Sequence, residues 1–282
     1  MTSFVPTVCF SIAVAVAAAP SVGCSGAAKR DPEQSQIRYQ LAADSFRGRR
    51  SEAAQAELKR ALEMDPENAD AHNLAGLIAL EQGADYLRQA ETAGCLRGAD
   101  AQSVRRDAAS KFREAEQWLK KATTLRAEFA EAWNNLSVAA LHLEAYDEAA
   151  TAAENALKDV GYASPEMARA NLGWAEYHRK NLNGAWKALH EAVAHMPGFC
   201  VGRYRLAKVY VDRGQWDEAV EQLDAVAAND ACPIQEALLL GGMVHQHRKD
   251  PDGARVLFSR CAQLAPRACL ADECRRYGEM LR

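Results

Sequence analysis

The sequence predicts an all-α protein, a stack of six helix-turn-helix repeats closed by a carboxyl-terminal capping helix. Three observations carry that prediction. The first is a period: Ala54, Ala115, Ala149, Ala185, Ala219 and Ala254 follow one another at intervals of 61, 34, 36, 34 and 35 residues. The second is an independent set, Leu41, Leu74, Leu136, Leu172, Leu206 and Leu240, with intervals of 33, 62, 36, 34 and 34. Both sets share one long gap, so one period carries an insertion. The third is the helical spacing of apolar residues within a period, as in Leu206, Val209 and Tyr210 followed by Ala219, Leu223 and Val226, which makes each unit two helices and a turn.

The 282 residues are 49% hydrophobic and 26% charged, an ordinary composition for a chain that buries a core. Lys and Arg total 34 against 38 Asp and Glu, a formal charge of -4, which argues against binding nucleic acid through bulk electrostatics.

Residues 1–23 read as an export signal. An apolar run from Val5 to Ala19 precedes small residues that lead to Cys24, and no charged residue occurs before Lys29. The run is too short for a comfortable membrane span. Cleavage after Ala19 would place Pro20 beyond the scissile bond and hinder the ordinary signal peptidase, so Cys24 is the better boundary. Gly23-Cys24-Ser25 resembles a bacterial lipoprotein lipobox, which implies a lipidated Cys24. By the same resemblance, Ser25 implies delivery to the outer membrane. Three acyl chains, at about 0.8 kcal/mol per buried methylene, would tether the protein permanently. An ordinary secreted protein and an uncleaved anchor are the alternatives. Residues 24–36 are polar and aperiodic, a flexible leash ahead of a repeat domain spanning 37–282.

The units run over about 35–66, 68–127, 130–163, 166–198, 200–232 and 234–266. Gly214 marks a turn within a unit, and Pro66, Pro197 and Pro266 mark exits. The insertion lies in the second unit, about 84–109, and either lengthens its helices or forms a solvated loop; contact with a partner is a further reading. A helix over about 268–281 caps the stack, because the last repeat would otherwise expose the face that a neighbour normally covers.

Cys95, Cys200, Cys232, Cys261, Cys269 and Cys274 remain after Cys9 and Cys24 are set aside. Six thiols in an exported chain point to disulfides, with 15 connectivities open. A clamp on the last repeats and a bond pinning the insertion through Cys95 are both expected; reduced, buried thiols are the alternative. The sequence holds no Cys-x-x-Cys pair, which removes the main support for a zinc ribbon or thioredoxin-type centre.

Enzymatic chemistry finds little footing. His190 and His195 are five apart, about 140° around a helix, and so face different ways. His245 and His247 read as exposed polar residues near a helix end. No nucleophile elbow, phosphate-cradling glycine loop or calcium loop occurs. Asp147-Glu148 and Asp217-Glu218 begin second helices, where they complement the helix dipole. No cofactor, metal or small-molecule substrate is expected.

The units resemble the tetratricopeptide-repeat family over 37–266. Trp133, Leu136, Tyr146, Ala149 and Ala156 meet its motif in one unit; Leu206, Ala207, Tyr210, Trp216, Ala219 and Leu223 meet it in another. The resemblance implies a right-handed superhelix whose first helices line a concave groove. Carried over position by position, its groove residues are Tyr39, Phe46, His72, Asn134, Val138, Leu141, Trp174, Tyr177, Tyr204, Lys208 and Val211. That lining lacks a Lys/Arg set to clamp a carboxylate and implies an apolar or amphipathic partner segment. Trp118, Trp133 and Trp216 occupy framework positions and are expected in the core. Trp174 follows Gly173 and is read as a partner contact, with packing against a neighbouring unit as the alternative.

Lipobox, leash and six units together look like the pilotin lipoproteins of type IV pilus systems, the PilF, PilW and Tgl type. The resemblance implies a lipid-anchored protein at the periplasmic face of the outer membrane. It would help the pilus secretin assemble into multimers and so support twitching or gliding motility. A scaffold lipoprotein for peptidoglycan synthesis or outer-membrane protein assembly is the alternative.

Overall fold

Alanine sets the spacing of the stack. Ala54, Ala115, Ala149, Ala185, Ala219 and Ala254, the periodic set of the sequence, are all 0% exposed. Each lies in the second helix of a unit, where a larger side chain would hold the helices apart. The computed structural model describes residues 30–93 and 95–281; the signal segment, Cys24 and the leash up to Lys29 lie outside the described residues.

Among the described residues there are thirteen α-helices, twelve of them in antiparallel pairs. The pairs are α1 (Pro32–Arg47) with α2 (Ser51–Met64), α3 (Ala69–Arg88) with α4 (Gly98–Leu125), and α5 (Ala130–His142) with α6 (Tyr146–Ala156). They continue with α7 (Pro165–His178) and α8 (Leu182–His195), α9 (Cys200–Asp212) and α10 (Trp216–Ala227), and α11 (Gln235–His247) and α12 (Pro251–Leu264). The capping helix α13 is Cys269–Glu279. The units form one superhelix in which neighbouring first helices touch, as α5 touches α7 and α7 touches α9, while the second helices fan outward.

Local chemistry explains where helices start and turn. Asp31, Asn68, Asn181 and Asp250 each accept a hydrogen bond from the backbone three residues on, and Pro32, Pro165 and Pro251 stand at first-turn positions that need no donor. Within five units the turn requires one left-handed residue. Gly214 supplies it in the fifth, but Arg49, Glu144, Lys180 and Lys249 do so elsewhere, which is why glycine marked only one turn in the sequence.

One boundary and one burial differ from the pattern of the sequence. Residues 32–36, expected in the leash, are the first turn of α1: the Asp31 carboxylate caps it and the Asp31 N–H donates to the Met64 carbonyl. Leu41, a member of the leucine period, is 44% exposed, whereas Leu136 and Leu206 are 3% and 1%. The later leucines pack on the preceding unit, Leu136 against Leu80 and Phe112, and no described unit precedes Leu41. Ile37, one turn before it, is equally exposed. Among the described residues nothing covers the amino end of the stack, while α13 covers the other end with Leu270, Cys274 and Tyr277.

The insertion lengthens both helices of the second unit, α3 to 20 residues and α4 to 28, joined by a π-turn at Gln89–Ala93. Its tip reaches α13. Cys95 bonds to Cys269, and Arg97 lies 3.3 Å from Asp272. Cys200 pairs with Cys232 within the fifth unit, and Cys261 with Cys274 ties α12 to the cap. All six thiols are thus used, two bonds clamping the last repeats and one pinning the insertion.

Candidate functional site

The inner helices carry a ladder of amides. Asn135 Nδ2 donates to Asn73 Oδ1 at 3.0 Å, joining α5 to α3. One position earlier on α5, the Asn134 Oδ1 accepts from Asn171 Nδ2 at 3.1 Å, and the same amide donates to Ser137 Oγ. Asn171 Oδ1 in turn accepts from Arg205 Nη1 at 3.3 Å, which carries the ladder to α9. A buried amide left unpaired is costly, so this chain fixes the register of one unit against the next.

Beside the ladder stands an aromatic wall. Trp174 stacks on Tyr177 with centroids 5.0 Å apart, and His178 meets Trp174 edge-on at 4.7 Å. His178 also stacks on Tyr146, at 4.4 Å. The Arg205 guanidinium lies 5.3 Å from the Trp174 ring centre, and Lys208 Nζ lies 5.9 Å from that of Tyr177. Gly173 explains how Trp174 comes to lie there: a Cβ at Gly173 would sit 2.6 Å from Leu189 Cγ, so glycine lets α7 and α8 close up behind the wall.

Electrostatics mark this region. Burial pushes the Tyr204 hydroxyl up to about 12. Burial and the neighbouring Asp212 carboxylate raise that of Tyr177. Burial, aided by Lys180, Lys208 and Arg205, holds His178 below its usual value, and His142 is lowered by burial and by Arg205. The imidazoles are therefore predominantly neutral at pH 7, and the fixed cations are Arg205 and Lys208.

The sequence-derived groove residues divide into three sets. Trp174, Tyr177, Tyr204, Lys208 and Val211 come together on α7 and α9, with Tyr177, Tyr204 and Val211 packed on one core cluster. Asn134, Val138 and Leu141 line α5, Asn134 within the ladder. Tyr39 and Phe46 pack together on α1, in the separate core of the first unit. His72 is a correction. It is 6% exposed, its Nε2 bonds the Pro66 carbonyl at 2.8 Å and its ring lies 5.4 Å from Trp118, so it closes a turn rather than facing a ligand.

The expectation of a groove without a Lys/Arg set is also corrected, because Arg205 stands beside Trp174 one helical turn from the expected Lys208. The motif register passed over Arg205, one position beyond Tyr204, and also missed Asn171 and His178. Only the recurrence of a polar residue on successive first helices, Asn73, Asn135 and Asn171, hinted at them.

Elsewhere, a cleft of about 470 Å³ opens on the outer side between α2 and α4, lined by Leu58, Leu62, Ile78 and Trp118. Trp118, Trp133 and Trp216, expected in the core, are instead half-buried: Trp133 and Trp216 pack against the edges of core clusters, and Trp118 lines this cleft. His190 stacks on Trp186 and His195 approaches Glu166 at 3.9 Å, so the two diverge. His245 is not the exposed polar residue expected; it bridges Asp224 and Asp250 at 3.0 and 2.7 Å. Among the described residues, no group of three or more His, Cys, Asp or Glu side chains is arranged to hold a metal, and no helix is long and apolar enough to cross a membrane.

Models of the tetratricopeptide repeat match residues 39–85, 101–166 and 176–239. Among solved structures, the chain superposes on PilW, a widely conserved type IV pilus biogenesis factor, with a TM-score of 0.67 at 20% identity, over 86% of this chain and 99% of that one. It superposes on PilF of Pseudomonas aeruginosa with a TM-score of 0.66 at 19% identity, over 86% and 97% of the respective chains. At these identities the likeness is one of fold. No curated protein matches the chain in sequence.

Proposed function

We propose that this chain, which belongs to the tetratricopeptide-repeat family, is a non-enzymatic pilotin lipoprotein that binds the type IV pilus secretin and promotes its assembly into multimers in the outer membrane. The observation that carries the reading is the extent of the fold likeness: nearly the whole of PilW, a pilus biogenesis factor, superposes on this chain. Support comes also from the inner groove, where an aromatic wall and a rigid amide ladder offer a preorganised surface to a partner segment.

The mechanism is stoichiometric. An amphipathic element of an unassembled secretin subunit lies in the groove, held against Trp174 and Tyr177. Acyl chains on Cys24 keep the complex at the bilayer, where tethering raises the effective concentration of subunits. Oligomer contacts then form at the membrane.

The test is the oligomeric state of the secretin, read as heat-resistant multimers on a gel. Cells lacking the protein are expected to hold monomeric secretin, with partial rescue by Cys24→Ala and Trp174→Ala variants. Trp174→Ala is expected to weaken secretin binding by at least about 2 kcal/mol. Normal multimers in the null strain would refute the pilotin reading and leave a scaffold role in cell-wall synthesis or outer-membrane protein assembly.

A further inference from the structure

Among the described residues, Arg205 is a cation without a carboxylate counter-charge. It stands half-buried on α9, and its Nη1 donates to the Ala170 carbonyl at 3.2 Å and to Asn171 Oδ1 at 3.3 Å, both neutral acceptors on α7. Those bonds hold the guanidinium beside the Trp174 ring. Among the described residues no carboxylate lies within 4.0 Å of it. Asp212 acts on Tyr177, Glu144 on His178 and Tyr146, and Glu236 on Tyr204, whereas no carboxylate is among the groups that act on Arg205. Burial pushes the Arg205 guanidinium down to about 10, which reports desolvation without a compensating anion.

Most half-buried cations of this chain are treated differently. Arg38, Arg126 and Arg169 each meet a carboxylate, Glu57, Asp70 and Glu191 respectively. Three donor hydrogens of Arg205, on Nε and Nη2, have no partner among the described residues. Lys208, three residues on and so on the same face of α9, is likewise without a carboxylate partner among the described residues. Two unpaired cations are thus held one helical turn apart against a wall formed by Trp174 and Tyr177.

We propose that Arg205, Lys208 and the Trp174–Tyr177 wall form an anion-reading point in the groove, which takes the carboxylate of an Asp or Glu side chain adjoining an apolar residue on a partner peptide segment. The apolar residue rests on the Trp174–Tyr177 stack and the carboxylate meets the fixed guanidinium, whose position the ladder has already set. A peptide rather than a free anion is the occupant because the cations abut the Trp174 and Tyr177 rings, and the neighbouring first helices α5 and α9 carry further apolar side chains, Val138, Leu141 and Tyr204. A small anion would leave that surface wet. The inference rests on the groove being the partner site of the proposed function and adds the chemical class that the groove reads.

The test uses the full mature chain and a random dodecapeptide phage library, with no secretin involved. Selected peptides are expected to be enriched in Asp or Glu next to Leu, Ile, Val or Phe. The tightest of them, synthesised, should lose at least about tenfold in affinity when its acid is changed to the amide, and should bind more weakly as salt rises. Arg205→Met should cost at least about tenfold and Arg205→Lys less, with helix content unchanged; should Arg205→Met not fold, Lys208→Glu and the acid-to-amide peptide decide the matter.

Selected peptides without acidic enrichment, no selected peptides at all, or affinity indifferent to both Lys208→Glu and the amide substitution would overturn the inference. So would displacement of the peptide by an equal concentration of inorganic phosphate, which would make this a free-anion site. Acid-dependent peptide binding alongside normal secretin multimers in null cells would keep the inference and remove only the pilotin reading.

Discussion

Cys95 and Cys269 have Cα atoms 4.6 Å apart although 174 positions separate them. The bond joins the tip of the second unit's insertion to the first residue of the capping helix, and Arg97 and Asp272 reinforce it. Each repeat packs only on its neighbours, so in an ordinary solenoid the second unit would not sense the sixth. Here the two are covalently one body, and the ends of the groove between them are held at a set separation.

Replacing Cys95 and Cys269 together by Ser is therefore expected to destabilise the carboxyl-terminal units selectively. A bond that closes so long a loop contributes roughly 2–4 kcal/mol by constraining the unfolded chain. Hydrogen exchange should show faster opening of α13 and the π-turn with α5 to α7 unchanged. Uniform protection in the double variant would contradict this role.

Stability near the sixth unit is expected to depend on pH through His245. Burial lowers the affinity of its imidazole for a proton, but Asp224 and Asp250 outweigh burial and raise its pKa above the usual 6.5. A raised histidine contributes stability that is fully present below its unfolded pKa and fades as pH rises through the higher folded value. Thermal melts between pH 6 and 9 should show this decline, and His245→Gln should flatten it. At acid pH the sign reverses for Asp250, whose pKa is lowered by the Gly253 N–H and by His245, so its contribution is lost as pH falls through that value.

Asn171→Ala is expected to cost about 1–3 kcal/mol, because it leaves the amide oxygen of Asn134 and one donor of Arg205 without their partner inside the stack. It should also loosen the wall. Chemical denaturation measures the first effect, and the near-ultraviolet circular dichroism of the tryptophans reads the second.

Gly173→Val should be worse than its size suggests. The new side chain would meet Leu189 Cγ at 2.6 Å and the Ala185 carbonyl oxygen at 3.1 Å, so α7 and α8 must separate, at a cost of about 1–3 kcal/mol. Gly214→Val tests a different cause, since its surroundings are open but its φ of 70° is unfavourable to a branched side chain. It should cost about 1–2 kcal/mol without disturbing any packing. Equal effects on the tryptophan spectrum would contradict the distinction.

By itself the sequence determined the period, the two-helix unit, the alanines at the helix crossings and the need for a cap. Those features are local: helix geometry translates an apolar residue every three or four positions into a buried face, and neighbour packing repeats the same contact every 34 residues. Tertiary structure alone decided which of fifteen cysteine pairings forms, because that depends on the rotation accumulated from the second unit to the sixth. It also decided that Leu41 is exposed while its periodic counterparts Leu136 and Leu206 are buried, since burial there requires a preceding unit. His72 and Arg205 exchanged roles for the same reason. A motif register states where a residue stands on its own helix, whereas the turn before α3 encloses His72 and the packing of α7 on α9 gives Arg205 neutral acceptors and, among the described residues, no carboxylate.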